Sequence, residues 1–396
     1  MFKDILFREI KIYNKLNKNY MDFLHKNTFD RILNDKIVFT NNLNLKDVYV
    51  LLNLNPYANR QLFYALLQAS RNIKRKIFKG EIYPIVPLYV TSICQEHCVY
   101  CNYRVENNNE GIQRLRLSDS ELAVEVEFLA AKGLRTIELV YATDPMIEVD
   151  DVIRHIKITH SILSKYDGGM VGINARPYSL EDYKRFREAG LDFAVLWQET
   201  YDMHNYKDYH PGNTEKADFL YRIDAHERMV QAGIKNIGLG ILFGLSNWRR
   251  DWFMLIRHVD FLLRKFGEEI NVIVGIPRLK PAVGAQLQRT PFIPNDAEFL
   301  LAVAVLNLVF PKALPWVTTR ERWNLCLELA KGGGVCFTFD CKTIPGGYSL
   351  GRNGYQFPTF NFEVEQYISR LNEVELEPVF KWNFDSLPWK RSRKVS

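Results

Sequence analysis

The chain has 396 residues, 47% hydrophobic and 25% charged, an ordinary globular composition with enough length for a large core. Its net charge of +6, from 52 basic and 46 acidic residues without blocks, gives no case for a nucleic-acid partner. Six cysteines, three of them clustered, are not a disulfide framework and fit a reducing compartment. Residues 1–24 mix Lys, Asp, Glu and Asn with apolar residues and lack a signal-peptide core. The longest apolar run, 299–310, is too short for a bilayer and contains Asn307. The expectation is a cytoplasmic protein without a membrane partner.

In chain order, residues 1–80 read as a helical extension, with apolar residues at three and four spacing and a break at Asn55-Pro56. From residue 81 strands alternate with helices. Strands are expected near 84–91, 135–141, 170–175, 192–197, 236–242, 271–276, 315–319 and 335–339, rich in Val, Ile and Leu as strands covered on both faces are. Helical patterns fill 118–132, 150–165, 179–189, 216–233, 248–266, 295–310 and 322–331. Ser118 with Glu121 forms a capping box, and Gly133, Gly190, Gly233 and Gly267 stand at helix ends. Eight such units predict an α/β fold, a complete (β/α)8 TIM barrel over 81–349. A doubly wound sheet has the same alternation. Residues 350–396 read as an irregular tail packing on the barrel.

Chemistry in such a barrel belongs at the carboxyl ends of the strands. After the first strand come Cys94, Cys98 and Cys101 at C-x3-C-x2-C spacing. Three thiolates are one short of a closed metal site, and an iron–sulfur cluster held by them keeps one iron open for a non-protein ligand. That arrangement resembles the radical S-adenosylmethionine (SAM) enzymes, and the resemblance implies SAM on the open iron and its reductive cleavage to a 5′-deoxyadenosyl radical. The protein's task is then to position that radical and exclude side reactions. Tyr100, just before the third cysteine, adds to this reading. The alternative is a zinc site with His97 as fourth ligand, although His97 adjoins Cys98 and its ring has difficulty reaching the same tetrahedron.

Other strand tips carry polar residues. Arg320, in Thr318-Thr319-Arg320-Glu321, can pair with a substrate carboxylate or form a rim salt bridge. Thr338 ends the eighth strand, and in a closed barrel it could face the same ligand. Arg278 lies in the proline-braced Ile276-Pro277-Arg278-Leu279-Lys280-Pro281. Glu199, in Gln198-Glu199-Thr200-Tyr201, can bind an amino or ribose hydroxyl group or pair with an arginine. Asn174 can reach a ribose hydroxyl or cap a turn, and Gly240 permits close backbone approach.

The succession of the cysteine loop, Leu88-Tyr89 before it, then QETY, GLS, PRLKP, TTRE and PGGY, resembles the radical SAM aromatic amino acid lyases over about residues 45–385. That group includes the tyrosine lyase (2-iminoacetate synthase) of bacterial thiamine thiazole synthesis, which the chain resembles most, the tyrosine lyase of FeFe-hydrogenase maturation and the nosiheptide tryptophan lyase. The resemblance implies a 4Fe–4S cluster on Cys94, Cys98 and Cys101. It implies SAM held near Tyr100, Ala142, Thr143, Asn174, Glu199 and Gly240. Arg320 would hold the substrate carboxylate, with Thr338 where relatives carry serine, Arg278 among the catalytic set, and Tyr89 near the amino group. The implied reaction removes hydrogen from the amino group of tyrosine and splits the Cα–Cβ bond to dehydroglycine and p-cresol. A tryptophan lyase or another natural-product enzyme is the alternative. The implied partners are an electron donor such as flavodoxin or ferredoxin and, on the thiamine reading, a thiazole synthase.

The sequence departs from the pattern at Ala142-Thr143, where relatives carry Gly-Glu to hold SAM's amino group; Asp144 follows, and Arg176 adds a cation. None of Cys326, Cys336 and Cys341 forms a C-x2-C pair, so carbon monoxide and cyanide production is not expected.

Overall fold

A computed structural model describes residues 1–19 and 43–391. The helical reading of 20–42 and the last residues of the tail lie outside that range. Eight parallel strands form the barrel: β1 Glu81–Thr91, β2 Thr136–Tyr141, β3 Met170–Asn174, β4 Phe193–Glu199, β5 Asn236–Ile241, β6 Asn271–Gly275, β7 Leu314–Val317 and β8 Cys336–Thr338. Neighbours pair in sequence order and β1 pairs with both β2 and β8, so the sheet closes. Closure rules out the doubly wound alternative. β7 and β8 are shorter than expected, because the chain turns out of the sheet immediately after Val317 and Thr338.

The helices follow from capping chemistry. Ser118 Oγ accepts from the Glu121 amide at 3.2 Å and the Glu121 carboxylate accepts from the Ser118 amide at 2.8 Å, which starts Asp119–Ala131. The helical pattern at 216–233 divides into Phe219–Ile223 and Ala225–Gln231. Asp224 sits at the break, buried, and pairs with Lys3 of the N-terminal helix Phe2–Lys18 at 2.5 Å. Lys216 precedes both helices in a short turn and is free to reach the barrel mouth.

The barrel interior is packed with Tyr83, Ile85, Met170, Phe193, Val195, Ile273, Leu314 and Trp316. The tail passes from one end of the barrel to the other. Residues 355–357 lie at the cysteine end, β9 (Glu377–Pro378) pairs beside the start of β1, and Trp382, Phe384 and Leu387 join the interior cluster at the opposite end. Trp382 stands 4.8 Å from Tyr83 ring to ring, and its Nε1 donates to the Pro84 carbonyl at 3.3 Å. The tail therefore plugs the amino-end mouth and leaves the carboxyl-end mouth for chemistry. No helix of the described residues is long and apolar enough to cross a membrane.

Candidate active site

A cavity of about 210 Å³ opens at the carboxyl ends of the strands. All three clustered cysteines line it. Their loop is clamped from two sides: the Val99 amide donates to Tyr209 O at 3.1 Å, and the Leu287 amide donates to Val99 O at 2.8 Å. Tyr100 donates toward His210 Nε2 at 2.9 Å and packs beside Leu242 and Leu279.

The sulfurs face hydrogen-bond donors. Cys101 Sγ accepts from the Tyr103 amide at 3.3 Å and from Gln356 Nε2 at 3.2 Å. Burial pushes the Cys94 thiol up to about 11, and the backbone at Glu96 and Thr143 pulls it the other way. Donors aimed at sulfur are what a thiolate-held iron–sulfur cluster needs around it. Among the described residues no three His, Cys, Asp or Glu side chains converge closely enough for a single ion. His97, the alternative fourth ligand, is turned to Glu106. The donor set thus fits a cluster better than zinc.

Opposite the cysteines, Arg320 reaches the cavity from the β7 tip. Its guanidinium carbon lies 3.3 Å from the centre of the Phe357 ring, and among the described residues it makes no ion pair. Burial lowers its pKa, against the opposing pull of Tyr89 and Glu199. Tyr89 also lines the cavity, its hydroxyl donating to Gln356 Oε1 at 2.8 Å. Gln356 therefore bridges Tyr89 and Cys101.

Glu199 ends β4 with φ at +69°, a strained backbone for a residue with a side chain. Lys216 Nζ holds its carboxylate at 2.7 Å and Arg222 stands at 4.0 Å. Burial opposes its charge, but these cations outweigh burial and keep the carboxyl below its ordinary range. Ala142, Thr143 and Asn174 line the same wall. Ala142 and Thr143 are held through backbone: the Ala142 amide donates to Thr91 O at 3.2 Å and the Gln95 amide to Thr143 O at 3.0 Å. Asp144 is no stand-in for a missing carboxylate at this wall. It accepts from Arg116 Nε at 2.7 Å, Arg116 Nη2 at 2.6 Å, Thr91 Oγ1 at 2.7 Å and the Met146 amide at 3.0 Å. Arg176 lines the rim and pairs with Glu215 at 2.7 Å.

Three expected positions lie away from the cavity wall. Arg278 turns outward and down, where Nε donates to Glu321 Oε1 at 2.8 Å, Nη1 to Pro294 O at 3.0 Å, and Nη2 pairs with Asp296 at 2.9 Å. Its charge is satisfied by the next strand's loop, so it braces β6 against β7. Thr338 points into the packed interior and accepts from Trp316 Nε1 at 2.8 Å. Gly240 is covered by Trp197: a Cβ there would stand 2.9 Å from that ring. Gly275 does the same on the neighbouring strand, with 2.5 Å. These two glycines let the Trp197 indole lie flat as a cavity wall. Trp197, Lys216, Arg222, Gln356 and Phe357 line the cavity without having been expected there.

A family model for the radical SAM superfamily matches residues 88–256. The chain is 28% identical over 349 residues to 2-iminoacetate synthase of Escherichia coli (strain K12), covering 86% of this chain and 88% of that protein. It is 25% identical over 280 residues to 3-methylornithine synthase of Methanosarcina acetivorans, 71% of this chain and 74% of the relative. The X-ray structure of the FeFe-hydrogenase maturase HydG from Carboxydothermus hydrogenoformans matches 98% of this chain and 87% of its own, with a TM-score of 0.84 and 28% identity. The methylornithine synthase structure, at 21% identity and a TM-score of 0.72, shows likeness of fold alone.

Proposed function

We propose that the chain is a radical SAM enzyme, a reading supported by the family match over residues 88–256 and by the likeness to 2-iminoacetate synthase, and that it is a lyase splitting the Cα–Cβ bond of an aromatic amino acid, tyrosine by preference. Cys94, Cys98 and Cys101 would hold a 4Fe–4S cluster and its bound SAM, which would supply the radical chemistry; the chain's own residues would present the substrate's amino group for hydrogen removal, with dehydroglycine and p-cresol as the expected products.

One observation carries this reading: Arg320 is a half-buried cation on the wall of the cavity that the three thiols also line, and among the described residues it has no ion-pair partner. A guanidinium so placed suits a bidentate carboxylate. Tyr89 stands beside it, where its hydroxyl oxygen can accept from an amino group. Such fixing of both ends of the α-carbon is what holds one N–H toward a reactive radical and keeps other hydrogens away. Glu199, Tyr100 and Asn174, with the backbone at Ala142 and Thr143, form the wall that would hold SAM. Lys216 and Arg222 keep Glu199 ionised for an amino or hydroxyl group. An electron donor such as flavodoxin or ferredoxin is required, and a thiazole synthase is the consumer of dehydroglycine on the thiamine reading.

The relatives bear names of amino-acid-derived chemistry, 2-iminoacetate synthase and 3-methylornithine synthase, which supports the substrate class. The test is anaerobic reconstitution with iron and sulfide, then a panel of amino acids assayed for deoxyadenosine and amino acid fragments. Tyrosine should drive both. Cys98→Ala should abolish the cluster absorbance and SAM cleavage together; activity retained in that variant would overturn the cluster assignment.

A further inference from the structure

β2 carries an acidic residue in the middle of an otherwise apolar strand, Thr136-Ile137-Glu138-Leu139-Val140-Tyr141. Strand alternation turns Ile137 and Leu139 to the helices and Glu138 and Val140 into the barrel. Glu138 is 3% exposed, and its Oε1 has no hydrogen-bond partner. No cation pairs with it among the described residues. Leaving a carboxyl buried and half satisfied is costly, so its retention calls for a use.

The surroundings say where it looks. In the β2–β3 register Glu138 lies opposite Gly172 and Val140 opposite Asn174. Below, the Phe193 ring fills the space over Gly172, where an added Cβ would stand 2.1 Å from the ring. Above, Val140 and Asn174 line the cavity. Asn174 stands near enough to favour the charged form of the Glu138 carboxyl, and Tyr89, another cavity residue, feels its charge, as do Cys336 and Cys341. The flat Trp197 indole walls the same space. Glu138 is therefore an acceptor one layer beneath the cavity lining at Val140 and Asn174, in surroundings that are otherwise aromatic and apolar.

We propose that Glu138 sets substrate specificity by accepting a hydrogen bond from the hydroxyl at the far end of an aromatic side chain, while Arg320 holds the carboxylate at the near end. This assignment rests on the amino acid lyase reading above. Burial pushes the Glu138 carboxyl up to about 8, with Asn174 opposing. A carboxyl that is largely neutral near pH 7 suits a neutral hydroxyl better than an ammonium group. A site with a buried acceptor rejects the analogue that lacks the donor, because the acceptor is then left unpaired.

The experiment compares reconstituted wild-type enzyme with Glu138→Gln and Glu138→Met. It reads KM and kcat for tyrosine and the inhibition constant for phenylalanine. Wild type should favour tyrosine over phenylalanine by about 10- to 100-fold in binding. Glu138→Met should bring that ratio near one, through a higher KM for tyrosine with phenylalanine bound as well or better. Glu138→Gln keeps an acceptor oxygen and should retain part of the preference. Cluster absorbance and thermal unfolding establish that each variant is folded. A folded Glu138→Met enzyme with an unchanged ratio overturns the Glu138 assignment and leaves the lyase reading standing. If no amino acid drives deoxyadenosine release in wild type, the lyase reading falls and the Glu138 assignment with it.

Discussion

Arg278 and Arg320 stand at neighbouring strand tips, the first buried and the second half-buried, and their roles are opposite. Replace each by methionine. Arg278 satisfies Glu321, Asp296 and the Pro294 carbonyl, so its removal leaves Glu321 buried beside Lys280 alone. Breaking a buried pair by deleting one partner costs about 3–5 kcal/mol. Arg278→Met should therefore be markedly less stable. Arg320 has no carboxylate to abandon; its contact is the Phe357 ring at 3.3 Å. A cation–π contact is worth about 0.5–2 kcal/mol, and release from desolvation offsets part of it. Arg320→Met should unfold at nearly the wild-type temperature. Its loss should fall on substrate binding: deleting one member of a buried charge pair costs about 2–5 kcal/mol, or roughly 30- to 5,000-fold in kcat/KM. Arg320→Lys keeps charge but not the bidentate fork and should lose about tenfold. Thermal unfolding of the reconstituted variants and initial rates of p-cresol release supply both numbers. An Arg320→Met enzyme with wild-type KM, or one destabilised as much as Arg278→Met, refutes the division of roles.

Further predictions test the cavity walls. Gly275→Ala places a Cβ 2.5 Å from the Trp197 ring, so calorimetry should show a loss of about 1–3 kcal/mol from overpacking. Activity should fall with it as the indole is pushed into the cavity, and an unaltered variant would contradict the packing. Lys216→Met strips Glu199 of its closest partner at 2.7 Å, leaving Arg222 at 4.0 Å; the strained residue then loses its charge support and the KM for SAM should rise. Glu138 is held up to about 8 by burial, against an ordinary 4.5, and the groups facing it are Tyr89, Asn174, Cys336 and Cys341. Between those pH values the folded chain keeps a proton that the unfolded chain releases, so this group's contribution to stability is present at low pH and lost as pH rises through about 8. The thermal stability of Glu138→Gln relative to wild type should accordingly increase from pH 5 to pH 8; a flat difference would contradict the burial argument.

The barrel was legible because its signals are local. Alternation of apolar strands with capped helices depends on neighbours a few residues apart, and Ser118 and the helix-end glycines mark themselves. The three cysteines and Arg320 were legible for a related reason: each follows a strand directly, so their place at the mouth comes with the fold. Arg278 and Thr338 sit at equally suggestive positions. What turns them away is a partner distant in sequence, Glu321 for one and the Trp316 indole for the other. Gln356 and Phe357 were hidden because they lie in an aperiodic tail whose path over the mouth depends on the finished barrel. Gly240 and Gly275 disclose their purpose only beside Trp197, 43 and 78 residues from that ring's chain position by the numbering. Glu138 did carry a signal, a lone acid in a strand covered on both faces, but its orphaned oxygen and its closeness to Asn174 needed three dimensions.

The central claim is that the chain directs a radical to the amino group of an aromatic amino acid. Its most direct test is a single turnover in D2O with reduced, reconstituted protein, SAM and tyrosine, read by mass spectrometry. Amino hydrogens exchange with solvent and carbon-bound hydrogens of tyrosine do not. The account predicts p-cresol together with 5′-deoxyadenosine carrying solvent deuterium. Deoxyadenosine without deuterium, or without any tyrosine-derived fragment, would contradict it.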